Sequence, residues 1–162
     1  LSIMVKGRML DDDGNVLLRF NNSATGVLMA SQVAAGEENA LKINVYGEKG
    51  GLEWAQHEPN TLLVKWLERP AQVLRAGANY GNHLSSYAVH NCRTPGGHPE
   101  GYLEAFANLY RNFALTLQAK LEGSAPPPEA LDFPGVVDGI RGMNFIDKVV
   151  ESAQSNTKWT EV

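Results

Sequence analysis

The chain has 162 residues, with 14 Lys and Arg against 18 Asp and Glu, for a formal charge of −4. The basic residues are scattered and form no stripe, which argues against a nucleic-acid partner. No apolar run approaches the ~20 residues needed to span a bilayer, so no membrane partner is expected.

A chain of this size can bury roughly 70% of the surface that its unfolded form exposes, so one domain over 1–162 with a real core is expected. The opening LSIMVKGRML shows no signal-peptide pattern. The first residue is Leu1, which suggests a fragment or a processed chain. The single cysteine, Cys92, permits neither an intrachain disulfide nor a cysteine-based zinc site. A free thiol fits a cytoplasmic location.

Residues 1–76 read mostly as strands. In NVLLRF (15–20), Val16, Leu18 and Phe20 share one side. In TGVLMASQVA (25–34), Val27, Met29 and Val33 do the same. LKINVY (41–46) alternates most clearly, and LEWAQ (52–56), TLLVKWL (61–67) and AQVLRA (71–76) follow. A period of two marks a strand, because successive side chains point to opposite faces. Turn chemistry separates the runs: Asp12-Asp13-Gly14, Asn21-Asn22-Ser23, Gly47 to Gly51 and Glu58-Pro59-Asn60. Such short connections imply antiparallel neighbours. Glu48-Lys49, flanked by glycines, reads as a hairpin tip and not as an acid–base pair.

Residues 77–97 read as a long irregular loop holding Tyr80, His83, Tyr87, His90 and Arg93. These residue types suit a polyhydroxylated ligand, and loops of this length are often functional. Mobility alone would account for the composition equally well.

The second half reads as helix. Over 98–122, Leu103, Phe106, Tyr110, Phe113, Leu117 and Leu121 make one helical stripe, closed by Gly123. The connector SAPPPEA leads to a second helix over 134–154, and 157–162 reads as a last short strand. Strands followed by helices give the α+β class: a large, mainly antiparallel open sheet with two helices packed on one face. The other face would carry Leu17, Arg19, Leu28, Lys42, Tyr46 and Lys65, a half-apolar surface available for oligomerisation or simply solvated.

TPGGHPEGYLEAF (94–106) is the densest candidate site. Glu100 is expected in the first turn of the helix, where a carboxylate suits the dipole, and Pro99 fits the same turn. His98 would flank that end and project toward a cleft. A His98–Glu100 dyad is not expected, because positions i and i+2 do not face each other. His57, His83, His90 and His98 lack metal-ligand spacing. Cys92 near His90 and His98 could be a nucleophile, although a half-buried loop thiol is the plainer expectation. No phosphate-loop, dinucleotide-binding or nucleophile-elbow motif is present.

Three runs together carry a resemblance: ALKINVYGEKGGLEW, GGHPEGYLEAFANLYRNF and GVVDGIRGMNFIDKVVESAQSNTKW. In this order they resemble the C-terminal domain of the Gfo/Idh/MocA family of oxidoreductases, from VLLRF to the end of the chain. The most specific pieces are I-x-V-x-G-x-x-G-x-L, from Ile43 to Leu52, and the helix DGIRGMNFIDKVVES. The resemblance implies an NAD(P)-dependent dehydrogenase or reductase of sugars, inositols and related polyols. It also implies a preceding Rossmann domain with the cofactor loop, a Glu-Lys-Pro motif holding the catalytic lysine, and an acid and a histidine on a following helix. The C-terminal domain would shape the substrate pocket, and its free sheet face would build dimers or tetramers.

Those catalytic motifs are not among these residues: Glu48-Lys49 is followed by Gly50, and no Asp-x-x-x-His is present. No catalytic residue carries over, and neither NAD nor NADP binding is expected of this segment alone. The resemblance places GGHPEGY near the substrate, which makes His98, then Arg93, the expected substrate-pocket residues. The alternatives are a non-enzymatic binding or oligomerisation module with the same sheet and, less favoured, a small hydrolase using Cys92 or a histidine.

Overall fold

A computed structural model describes residues 1–80 and 83–162. They form two compact units, 1–38 with 135–162, and 39–134.

In the first unit, β1 (Asp13–Arg19) and β2 (Thr25–Ser31) form an antiparallel pair in which Val16 faces Leu28 and Leu17 faces Val27. The turn between them closes through Ser23 N–H to Phe20 O at 2.9 Å, with Ser23 at φ 69. Asp12, just before β1, is almost wholly buried. Its carboxylate accepts the amides of Met4 at 2.7 Å and Val5 at 3.1 Å, with Arg8 at 3.7 Å. The N-terminal segment is thereby folded back onto the hairpin. Helix α3 (Val136–Gln154) belongs to the same unit.

The second unit is a meander of four antiparallel strands, β3 (Lys42–Gly47), β4 (Gly50–Ala55), β5 (Thr61–Trp66) and β6 (Gln72–Arg75). Gly47 opposes Gly50, so Glu48-Lys49 forms the tight turn expected of it. Gly50 is required by the crossing strand, because a Cβ there would stand 2.1 Å from the Lys65 carbonyl oxygen. Trp54 Nε1 donates to Pro59 O at 2.9 Å and braces the β4–β5 loop. Helix α1 (Ser86–Asn91), helix α2 (Tyr102–Leu121) and a short 3-10 turn, Pro128–Leu131, complete the unit. Its buried apolar residues are Val64 on β5, Ala119 on α2 and Ala130 in the 3-10 turn.

The class is the expected α+β with open antiparallel pairing, although the described strands lie in two sheets, of two and four strands, where the sequence suggests one large sheet. Several finer expectations are corrected. The segment 77–97 is not wholly irregular: Ser85 accepts the Ala88 amide at 3.3 Å and starts α1. Residues 81 and 82 of that expected loop lie outside the described residues.

Helix α2 starts at Tyr102, not at 98. Glu100 N–H is given to Asn60 Oδ1 at 2.9 Å, and Gly101 sits outside the helical region at φ −139 and ψ −132, so the chain turns helical only afterwards. Pro99 and Glu100 therefore precede the helix, and Glu104 takes the N-terminal role by accepting Gly101 N–H at 2.8 Å. Gly123, at φ 71, ends α2 as expected, with Ser124 N–H reaching Ala119 O at 2.9 Å. Residues 157–162 form no ladder; Trp159 instead lies against the Arg19 guanidinium, 4.2 Å from the ring centroid.

Candidate functional site

The loop after α1 runs through Arg93 and His98 into α2, and its backbone is set by Glu100. The Glu100 carboxylate accepts Arg93 N–H at 2.8 and 3.0 Å and Thr94 N–H at 3.2 Å. A nearby glycine contact tightens the same loop. Gly96 N–H donates to Asn79 Oδ1 at 2.7 Å, and a Cβ on Gly96 would stand 2.3 Å from the Tyr80 ring.

His98 is exposed. Its amide reaches Pro95 O at 3.1 Å, and its Nδ1 stands 3.3 Å from the same oxygen. A carbonyl can only accept, so Nδ1 carries the proton, and Nε2 is the acceptor in the neutral tautomer that this contact selects. Such a ring can take a proton from a ligand hydroxyl. The absence of a His98–Glu100 dyad follows from these partners, since Glu100 faces the amides of residues 93 and 94.

Arg93 points the other way. Its Nη1 donates to His90 O at 2.9 Å, and its Nη2 donates to Asn108 Oδ1 on α2. The two expected site residues therefore lie on one loop but share no side-chain partner among the described residues.

Around Arg93 lies a polar cluster that the sequence did not single out. One face of α2 carries Asn108, Asn112 and Thr116, spaced by four, which places them in line on a helix. Asn108 Nδ2 donates to Asn91 O at 2.9 Å, Asn112 Nδ2 to Asp132 O at 3.2 Å and Thr116 Oγ1 to Ala130 O at 2.9 Å. This polar stripe fastens α2 to α1 and to the 3-10 turn. The expected apolar stripe of Leu103, Phe106, Tyr110, Phe113, Leu117 and Leu121 is exposed throughout, although Phe113 meets Phe133 edge-on at 5.8 Å.

Asn112, only 1% exposed, also holds His90, whose Nε2 lies 2.8 Å from Asn112 Oδ1. Because Asn112 Nδ2 is committed to Asp132 O, Oδ1 is the atom facing the imidazole, and His90 Nε2 carries the proton. Arg111 Nη1 stands beside it and donates to His90 O at 3.1 Å. Burial, then the neighbouring charge of Arg93, holds the Arg111 pKa below its usual value. A hydrogen bond from Ser86, its own backbone amide and the charge of His90 hold the Glu129 carboxyl low.

Cys92 is half-buried, and burial followed by the Glu100 charge pushes its thiol up. That is the opposite of what an activated nucleophile needs. Among the described residues, no group of three His, Cys, Asp or Glu side chains converges as a metal site. No described helix is long and apolar enough to cross a membrane.

Residues 4–162 match the family model described as the oxidoreductase family, C-terminal alpha/beta domain. The chain belongs to the Gfo/Idh/MocA oxidoreductase family. Similar proteins agree with this membership. The uncharacterized oxidoreductase YfiI of Bacillus subtilis (strain 168) is 32% identical over 152 residues, 94% of this chain and 38% of that protein. An oxidoreductase from Sinorhizobium meliloti is 43% identical, with a TM-score of 0.89 over 99% of this chain and 44% of its own.

An inositol dehydrogenase homolog from Azotobacter vinelandii is known in two complexes. The structure with NAD+ gives 31% identity and a TM-score of 0.86 over 99% of this chain and 41% of its own. The structure with NADH and myo-inositol gives 32% identity and a TM-score of 0.82 over 95% of this chain and 40% of its own. The chain thus spans well under half the length of these relatives. The Gfo/Idh/MocA match runs through both compact units.

Proposed function

We propose that residues 1–162 act as one substrate-binding and assembly domain of an NAD(P)-dependent sugar or polyol dehydrogenase located in the cytoplasm. The hydride would move on a separate dinucleotide-binding domain of the full-length protein, where NAD or NADP would bind. The observation that carries this is the likeness, over 95% of the chain, to an inositol dehydrogenase homolog solved with NADH and myo-inositol. His98 would accept a hydrogen bond from a substrate hydroxyl through Nε2, and Arg93 would hold the loop that presents it. The mixed sheet face, with Leu28 on β2, would pair with a second copy as a dimer or tetramer.

The test is nicotinamide reduction by the full-length protein on a panel of polyols that includes myo-inositol. Turnover is expected, with His98→Ala raising KM more than it lowers kcat. A full-length protein that binds no dinucleotide and oxidises no polyol would overturn the assignment.

A further inference from the structure

We propose that Arg93 and Arg111 form a binding site for an oxyanion, the phosphate or carboxylate group of a small ligand. The two side chains come from different elements, the loop after α1 and the middle of α2. Both Nη1 atoms donate to one oxygen, that of His90, at 2.9 and 3.1 Å. Two guanidinium groups are thus held side by side.

A lone C-terminal cap for α1 would need only one cation. The second adds repulsion and leaves donors in excess. Arg111 Nη1 also stands 3.0 Å from His90 Nε2, an atom that the Asn112 amide makes a donor and not an acceptor. Among the described residues, Nε and Nη2 of Arg111 meet no protein acceptor. The nearby carboxylates are committed elsewhere: Glu100 to the amides of Arg93 and Thr94, and Glu129 to Ser86. None of the described ion pairs involves either arginine.

Arginine forks match phosphate and carboxylate oxygens two at a time, so an oxyanion would satisfy the spare donors and offset the paired charge together. Its negative charge would relieve the same burial and repulsion that hold the Arg111 pKa down. The site itself does not depend on the dehydrogenase assignment. Only the view that the anion is carried by a polyol substrate rests on that assignment.

The test is calorimetric titration of the full-length protein with four probes: inorganic phosphate, a sugar phosphate, gluconate and neutral myo-inositol. At least one anionic probe is expected to bind, more weakly as salt rises, and Arg111→Gln and Arg93→Gln should each lower its affinity at least tenfold. If the sugar phosphate or gluconate binds more tightly than inorganic phosphate, the anion is read as part of a polyol ligand. If phosphate alone binds, the site takes the free ion.

Arg111 is partly buried, so circular dichroism of both variants accompanies the titrations. Should Arg111→Gln fail to fold, the exposed Arg93→Gln carries the comparison. Unchanged affinity in folded Arg93→Gln, or no binding of any anionic probe, would overturn the site. Anion binding that persists in a protein without polyol oxidation would sink the dehydrogenase assignment and leave the site standing.

Discussion

Glu100 and Arg93 are opposite charges seven residues apart that do not pair through their charged ends. The Glu100 carboxylate closes on the Arg93 amide at 2.8 and 3.0 Å, and the Arg93 guanidinium turns to His90 O and Asn108. Glu100 therefore shapes the loop that carries Arg93 and His98. Glu100→Ala removes the acceptor of two backbone amides, and hydrogen bonds to a charged group contribute about 1.5–3 kcal/mol when well formed. Partial exposure should reduce the loss to about 1–2 kcal/mol in urea unfolding. Glu100→Gln keeps one acceptor and should lose about half as much. Equal stability of all three proteins would show that the loop does not need this carboxylate.

Asn112 offers a sharper case, because it is the largest fully buried side chain among the described residues and its amide spans two elements. Asn112→Ala leaves Asp132 O and the His90 ring without their partner and opens a small void. Losses of this kind run to about 2–3 kcal/mol. Asn112→Leu should cost a similar amount, since it fills the space but restores neither hydrogen bond. A thermal melt of Asn112→Leu matching the parent would mean that packing alone matters at this position.

The strands were legible in the sequence because their causes are local. Ile43 and Val45 alternate with Lys42, Asn44 and Tyr46, and the Gly47–Gly50 turn makes β3 and β4 neighbours without help from distant residues. The polar cluster was not legible for the opposite reason. Asn108, Asn112 and Thr116 are visible at helical spacing, but their partners are the backbone carbonyls of Asn91, Asp132 and Ala130. Side-chain spacing carries no record of where a carbonyl from another element will lie. Helix α1 is six residues long, too short for a periodic pattern, and only the Ser85 cap marked it. The place of Glu100 before the helix was not legible either, because the bond from its amide to Asn60 Oδ1 joins residues that only the fold brings together.

Gly77 should tolerate no side chain. A Cβ there would stand 2.5 Å from Gly96 N and 2.7 Å from Gly96 Cα, both backbone atoms of the loop that leads to His98. Backbone cannot rotate away as a flexible side chain can, so Gly77→Ala must push the two segments apart. Overpacking of this kind costs about 1–3 kcal/mol. If the protein supports turnover, KM should also rise, because His98 moves with the displaced loop. A melting temperature and a KM both equal to the parent's would show that the two segments part freely.

Asp12 should make the N-terminal segment sensitive to acid. The Met4 amide is the largest influence on its carboxyl; with the Val5 amide and Arg8 it outweighs burial and holds the pKa below the ordinary value. A carboxyl that is more acidic when folded than when unfolded contributes stability above the ordinary carboxylate range, near about pH 4. That contribution is lost as pH falls through the folded value, when the protonated oxygen no longer attracts the two amides. Protection of the Met4 and Val5 amides, measured as slowing of exchange relative to an unstructured chain at the same pH, should therefore be high at neutral pH and fall on acidification. Asp12→Asn should show low protection at both and lose this pH dependence of protection. Arg8→Gln should change little, because the Arg8 contact is long, at 3.7 Å, and Arg8 is exposed to solvent. Protection at Met4 and Val5 that is indifferent to acid in the parent would mean that the segment is held by Ser2 and its ladder to Asp13 instead.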